Sequence, residues 1–164
     1  MIGYHGRIDD FWSDVIKSYK YVREVKYEGV RTEWHSDYKG VLLQSFDDEL
    51  PDFWPKFKET LGATVGSVGW INIRPNQIIP PHTDNFYILR QQHNATVDDC
   101  LRYLIFLEDW KFGQYVEFED LSISKWKKGD VWFFNYKSKH WAVNASNDDL
   151  HTCQVSTVKR INNG

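Results

Sequence analysis

The sequence predicts a mainly β fold: a jelly roll or barrel-like sandwich with flanking helices packed on its outside. Three observations carry that expectation. Aromatic residues make up 16% of the 164 positions, with eight Trp, nine Tyr and ten Phe, and such side chains fit a pleated, half-buried surface. Short β-rich runs separated by turn residues fill the chain from Ala63 onward. Helical periodicity is confined to the part before it.

Arg7 to Lys20 spaces Phe11, Val15 and Tyr19 four apart, with Ile8, Trp12 and Ile16 beside them. That is one apolar helical stripe. Val22 to Leu43 is mixed and polar and reads as a short strand plus loop. Asp47 to Leu61 reads as a second helix, acidic early, with Pro51 near its start and Gly62 as a stop signal. Pro55 counts against its interior, because proline breaks the helical ladder. The β-rich runs are Thr64–Arg74, Gln77–Thr83, Cys100–Leu107, Tyr115–Phe118, Ser122–Trp126, Asp130–Asn135, Lys139–Asn144 and Thr152–Val158. Gly113, Gly129 and the polar cluster Asn144–Asp149 punctuate them. With no repeat or linker, the expectation is a single domain over 1–164. About 1–62 would be helical support and about 63–160 the β core.

Charge and cysteine content narrow the function classes. Twenty Lys+Arg against 23 Asp+Glu give a net charge of −3, which disfavours a nucleic-acid partner. No apolar run approaches the roughly 20 residues that span a bilayer, so no membrane partner is expected. Met1–Asp10 has no apolar core of a secretory signal. Cys100 and Cys153 form no CxxC pair. Both observations suit a cytoplasmic chain with two buried thiols.

The chemistry concentrates in Pro80-Pro81-His82-Thr83-Asp84. Side chains two apart on a strand share a face, roughly 6.5–7 Å from each other, and one metal about 2 Å from each bridges that gap. His140, heading the run His140-Trp141-Ala142-Val143-Asn144, offers a third ligand. Two imidazoles and a carboxylate make a facial triad that leaves coordination positions open. An isolated HxD is common by chance; the second His ahead of a similar strand is what raises this one. His5, His35 and His93 have no partner at metal spacing and read as surface or loop residues. Trp110 and Trp132-Phe133-Phe134 read as core, Trp141 as core or substrate mouth, and the polar segment Asn85–Asp99 as a lid loop.

An ordered series extends the pattern: His82-Thr83-Asp84, the strand Arg102-Tyr103-Leu104-Ile105-Phe106-Leu107 ending in Glu108-Asp109-Trp110, Gly113, Gly129-Asp130-Val131-Trp132-Phe133-Phe134-Asn135, and His140 with Val143-Asn144. From about Gly69 to Val158 the chain resembles the Fe(II)- and 2-oxoglutarate-dependent oxygenases, particularly the prolyl-hydroxylase-like and aspartyl/asparaginyl-hydroxylase-like groups. The resemblance implies a double-stranded β-helix, the cupin-like jelly roll, with N-terminal helices packed outside. It implies Fe(II) held by His82, Asp84 and His140 as the catalytic centre, 2-oxoglutarate as co-substrate, O2, and ascorbate as an optional addition. The implied reaction is hydroxylation of an amino-acid side chain, free or in a peptide, with release of succinate and CO2.

One departure stands out. Members of the prolyl-hydroxylase-like group carry Lys or Arg about nine to ten residues after the distal His, paired with the C5-carboxylate of 2-oxoglutarate. Here no Lys or Arg follows His140 until Lys159. A desolvated carboxylate needs a partner, and Arg102 is the first candidate because guanidinium pairs with carboxylate in bidentate fashion. His151 and Arg74 come next. Two other readings stay open: a non-catalytic β-sandwich binding module, and a cupin-type metal enzyme that does not use 2-oxoglutarate.

Overall fold

The computed structural model describes residues 1–18, 41–46 (as backbone), 52–63 and 65–158. Among the described residues ten strands form two antiparallel sheets. The strands are β1 (Ile2–Arg7), β2 (Val41–Phe46), β3 (Gly66–Ile73), β4 (Gln77–His82), β5 (Cys100–Phe106), β6 (Gln114–Phe118), β7 (Leu121–Ile123), β8 (Asp130–Phe134), β9 (His140–Asn144) and β10 (Leu150–Val158). The larger sheet runs β1-β8-β5-β10-β3-β2 and the smaller β4-β9-β6-β7. From β3 onward the chain alternates between the sheets, apart from the β6–β7 hairpin, which makes the architecture a cupin-like jelly roll.

Strand periodicity sorts the core into two layers. On β5, Leu104 and Phe106 face the smaller sheet and pack with Phe134, Val116, Phe118 and Ala142. Leu101, Tyr103 and Ile105 alternate onto the outer face and join Val68, Trp70 and Val155. That outer face is covered by α1 (Asp10–Ser18) and α2 (Trp54–Thr60), which contribute Trp12, Ile16, Trp54 and Phe57. A sheet covered on both faces needs apolar residues at successive positions, which is why β5 reads as a nearly unbroken hydrophobic run. Phe106 and Phe134 are fully buried, each worth about 1.5–3 kcal/mol in area removed from water.

All eight β-rich runs become strands, and the helices sit outside as expected. The details differ at the N-terminal end. β1 is a strand that the sequence does not announce: IGYHGR is glycine-containing and polar, as an edge strand tolerates, and it is added beside β8. In α1 the buried face is Trp12, Ser13 and Ile16, whereas Phe11 is 62% exposed. The helix starts where Asp9 Oδ1 accepts the Phe11 N–H at 2.8 Å, a side-chain cap. Pro55 does not interrupt α2; it lies in the first turn, where no N–H is needed. The reading of Val22–Leu43 falls outside the described residues except for the start of β2, as do the first residues of Asp47–Leu61 and His35. Gly129 stitches the layers: its N–H donates to Phe106 O, and its carbonyl accepts from Ile8. Its φ of +85° and the Ile8 carbonyl 2.6 Å from where a Cβ would sit leave no room for a side chain. Among the described residues no helix is long and apolar enough to cross a membrane.

Candidate metal centre

Between the sheets lies a cavity open to solvent at its mouth. Ile71, Ile73, Leu104, Val116, Phe134 and Ala142 give it apolar walls, and His82, Asp84, Arg102, His140, Thr152 and Gln154 its polar groups.

A broken ladder places the first histidine. β4 pairs with β9 through Ile79↔Ala142 and His82↔His140, three residues advancing on one strand against two on the other. The extra residue falls at Pro80-Pro81, neither of which has an N–H to donate, and the bulge reverses the face of the residues after it. Ile79 and His82 therefore both look into the cavity, although plain alternation would oppose them. Asp84 lies just beyond the end of β4 rather than on it, and still reaches the cavity.

The two histidines are prepared in the same way. His82 Nδ1 lies 2.8 Å from the Pro80 carbonyl and His140 Nδ1 2.9 Å from the Ser138 carbonyl. A carbonyl only accepts, so each Nδ1 carries a proton and each Nε2 is turned toward the cavity side of its ring. The rings stand 4.2 Å apart by centroid, and Phe118 and Phe134 wedge the His140 ring at 5.5 and 4.6 Å. Burial first, and the adjacent His140 second, push His82 down to about 4, so it is neutral at pH 7. Donor atoms of His82, Asp84 and His140 all lie within 4.8 Å of one another. That is slightly wider than the roughly 4 Å that two metal–ligand bonds of about 2 Å span. Two carbonyl-anchored imidazoles and one carboxylate fit a divalent first-row metal.

Arg102 completes the site. Facing inward from β5, it places Nη1 2.9 Å from Asp84 Oδ2 and 2.8 Å from Gln154 Oε1, with Nε 3.0 Å from Ser156 Oγ. The Phe86 ring lies 5.1 Å from the guanidinium carbon. Phe86 holds a left-handed φ of 50°, a costly conformation for a bulky residue, and so turns the chain from Asp84 into α3 (Tyr87–His93).

The other two carboxylate candidates are not brought to the site. On β10, Thr152, Gln154 and Ser156 share the inner face, so His151 alternates outward, its Nε2 3.7 Å from Glu108 Oε1. Arg74 comes after the inward Ile73, lies past the end of β3 and is exposed. Leu150, ten residues after His140, is a buried core residue of the inter-sheet layer. Sequence reasoning missed Phe86, Gln154 and Ser156; the Thr152-Gln154-Ser156 alternation beside Arg102 was the available signal. The supposed lid Asn85–Asp99 contains α3 and is pinned by Phe86 and Leu89 packing on Cys100 and Val158. Trp110 and Trp132 pack against the inter-sheet core and Phe133 against the outer one, while Trp141 is half-buried and lines the cavity. His5 and His93 are exposed, and both cysteines are buried free thiols.

No protein-family model matches the chain, and no curated protein matches it. Solved structures do. A prolyl-4-hydroxylase from Pseudomonas putida is similar with a TM-score of 0.62 at 9% identity, over 97% of this chain and 92% of that one. A viral collagen prolyl hydroxylase from Paramecium bursaria Chlorella virus-1, solved as its 2OG complex, is similar with 0.59 at 14% identity, over 96% of each chain. A cupin-superfamily sugar phosphate isomerase from Silicibacter pomeroyi overlaps with 0.47 at 10% identity, over 87% of this chain and 73% of that one. Likeness at these identities is one of fold.

Proposed function

We propose that this chain is an Fe(II)- and 2-oxoglutarate-dependent dioxygenase that hydroxylates an amino-acid side chain, free or in a peptide. The observation that carries the reading is the pair of opposed histidines, each fixed by its own backbone carbonyl, with Asp84 beside them at one wall of the cavity. The likeness in fold to two prolyl hydroxylases supports it.

His82, Asp84 and His140 would hold the metal on one side, leaving its other positions facing the cavity. Bound Fe(II) and 2-oxoglutarate together supply O2-dependent insertion of oxygen into a C–H bond, with release of succinate and CO2. The residues of the chain do the rest. Pro80 and Ser138 keep the imidazoles in the ligating tautomer. Arg102 offers the cavity a guanidinium for a carboxylate of the co-substrate, held by Gln154 and Ser156. The apolar walls exclude water, and Trp141 lines the route by which a substrate side chain would enter.

One observation favours a second reading, a cupin-type metal enzyme without 2-oxoglutarate: buried Leu150 stands where the related oxygenases carry their carboxylate-binding cation. Succinate formation separates the two. Incubation with Fe(II), 2-oxoglutarate and ascorbate, with a panel of free amino acids and peptides, is expected to release succinate above the metal-free background. That release should vanish in His140→Ala. A chain that binds metal through the triad but neither binds nor consumes 2-oxoglutarate is the second kind of enzyme.

A further inference from the structure

The oxygen of Asp84 that faces His140 is the same one that Arg102 holds. Oδ2 lies 3.8 Å from His140 Nε2 and 2.9 Å from Arg102 Nη1. Both side chains are largely withdrawn from water, at 12% and 17% exposure, so the two charges are poorly screened from each other, although their contact is an ion pair without hydrogen-bond geometry. A divalent ion taken up among His82, Asp84 and His140 needs that carboxylate and brings two positive charges beside the guanidinium. Arg102 has somewhere to go, because Gln154 Oε1 and Ser156 Oγ already share it on the β10 side. The cavity lies alongside.

We propose that Arg102 is a metal-released latch: it occupies Asp84 in the metal-free chain, and metal uptake displaces it and frees it to bind a carboxylate. The inference rests on the metal-centre reading and adds an order to it. The divalent ion binds first. The dicarboxylate binds second, because its cation partner is engaged until then.

Two measurements on the purified chain test this without turnover. In calorimetric titration of metal-free protein with Mn(II), Arg102→Gln is expected to bind about tenfold more tightly than wild type, since no cation need be displaced and none remains to repel the ion. Arg102→Lys, which keeps the charge, is expected to stay near wild type. Equal or weaker binding by Arg102→Gln overturns the latch and leaves Arg102 as a support for Asp84. The second measurement uses succinate, which has no keto oxygen with which to chelate a metal. Metal-free Asp84→Asn, nearly isosteric and with the guanidinium released, is expected to bind succinate at least tenfold more tightly than the metal-free wild type. Absence of that gain also overturns the proposal. Failure of wild type to bind Mn(II) at all overturns the metal-centre reading itself, a result distinct from either.

Discussion

His82 is half-buried as a neutral imidazole, and that state makes the metal-free chain sensitive to acid. Its ordinary value is 6.5 and its folded value about 4, so between them the unfolded chain holds the additional proton. Stability from this group is therefore complete above about pH 6.5 and declines as pH falls toward 4, by roughly 3 kcal/mol in all. Denaturant midpoints of metal-free protein from pH 7.5 to 4 are expected to fall more steeply for wild type than for His82→Asn, which cannot titrate. Arg102 has the opposite character, a permanent charge whose worth lies in its partner. Leaving a buried carboxylate without its cation costs roughly 3–5 kcal/mol. At saturating metal, Arg102→Ala is expected to raise the 2-oxoglutarate requirement by about two orders of magnitude, read as the concentration giving half-maximal succinate release. An unchanged requirement would return the carboxylate to another group.

At the scale of elements, the two helices on the outer face depend on rotation more than on composition. Phe11 and Trp12 are adjacent and both aromatic, yet only Trp12 packs on Phe53 and Phe57, at 6.2 and 5.4 Å between centroids. Truncating a large buried aromatic costs about 3–5 kcal/mol, while an exposed one changes stability by about 0.5 kcal/mol or less. Urea unfolding is expected to show that separation between Trp12→Ala and Phe11→Ala. Equal losses would mean that α1 sits in another rotation. The stripe through Phe11 and Val15 is visible in the sequence, but choosing between it and the stripe through Trp12 and Ile16 is not. Both are apolar, and the choice comes from which face the sheet meets.

For the molecule as a whole, a site assembled from both ends of the jelly-roll region ties metal affinity to global stability. A ligand bound only by the folded chain at a hundred times its Kd adds about 2.7 kcal/mol, or roughly 5–10 °C in Tm for a chain of this size. Mn(II) is expected to raise Tm by that amount, and a chelator to reverse it; His82→Ala should remove the response while leaving the metal-free Tm within a few degrees. By itself the sequence determined the series of short strands, the core role of Trp132-Phe133-Phe134, and the candidate set of His82, Asp84, His140 and Arg102, because short-range periodicity and side-chain chemistry are local properties. Only the tertiary structure decided that His82 faces inward, since that depends on a bulge at two prolines whose pairing partner lies on β9. It likewise put Arg102, and not Arg74 or His151, on the cavity, with Phe86, Gln154 and Ser156 around the guanidinium. Those outcomes depend on register between strands far apart in the chain, where one residue of slip turns a side chain from the cavity to the opposite face.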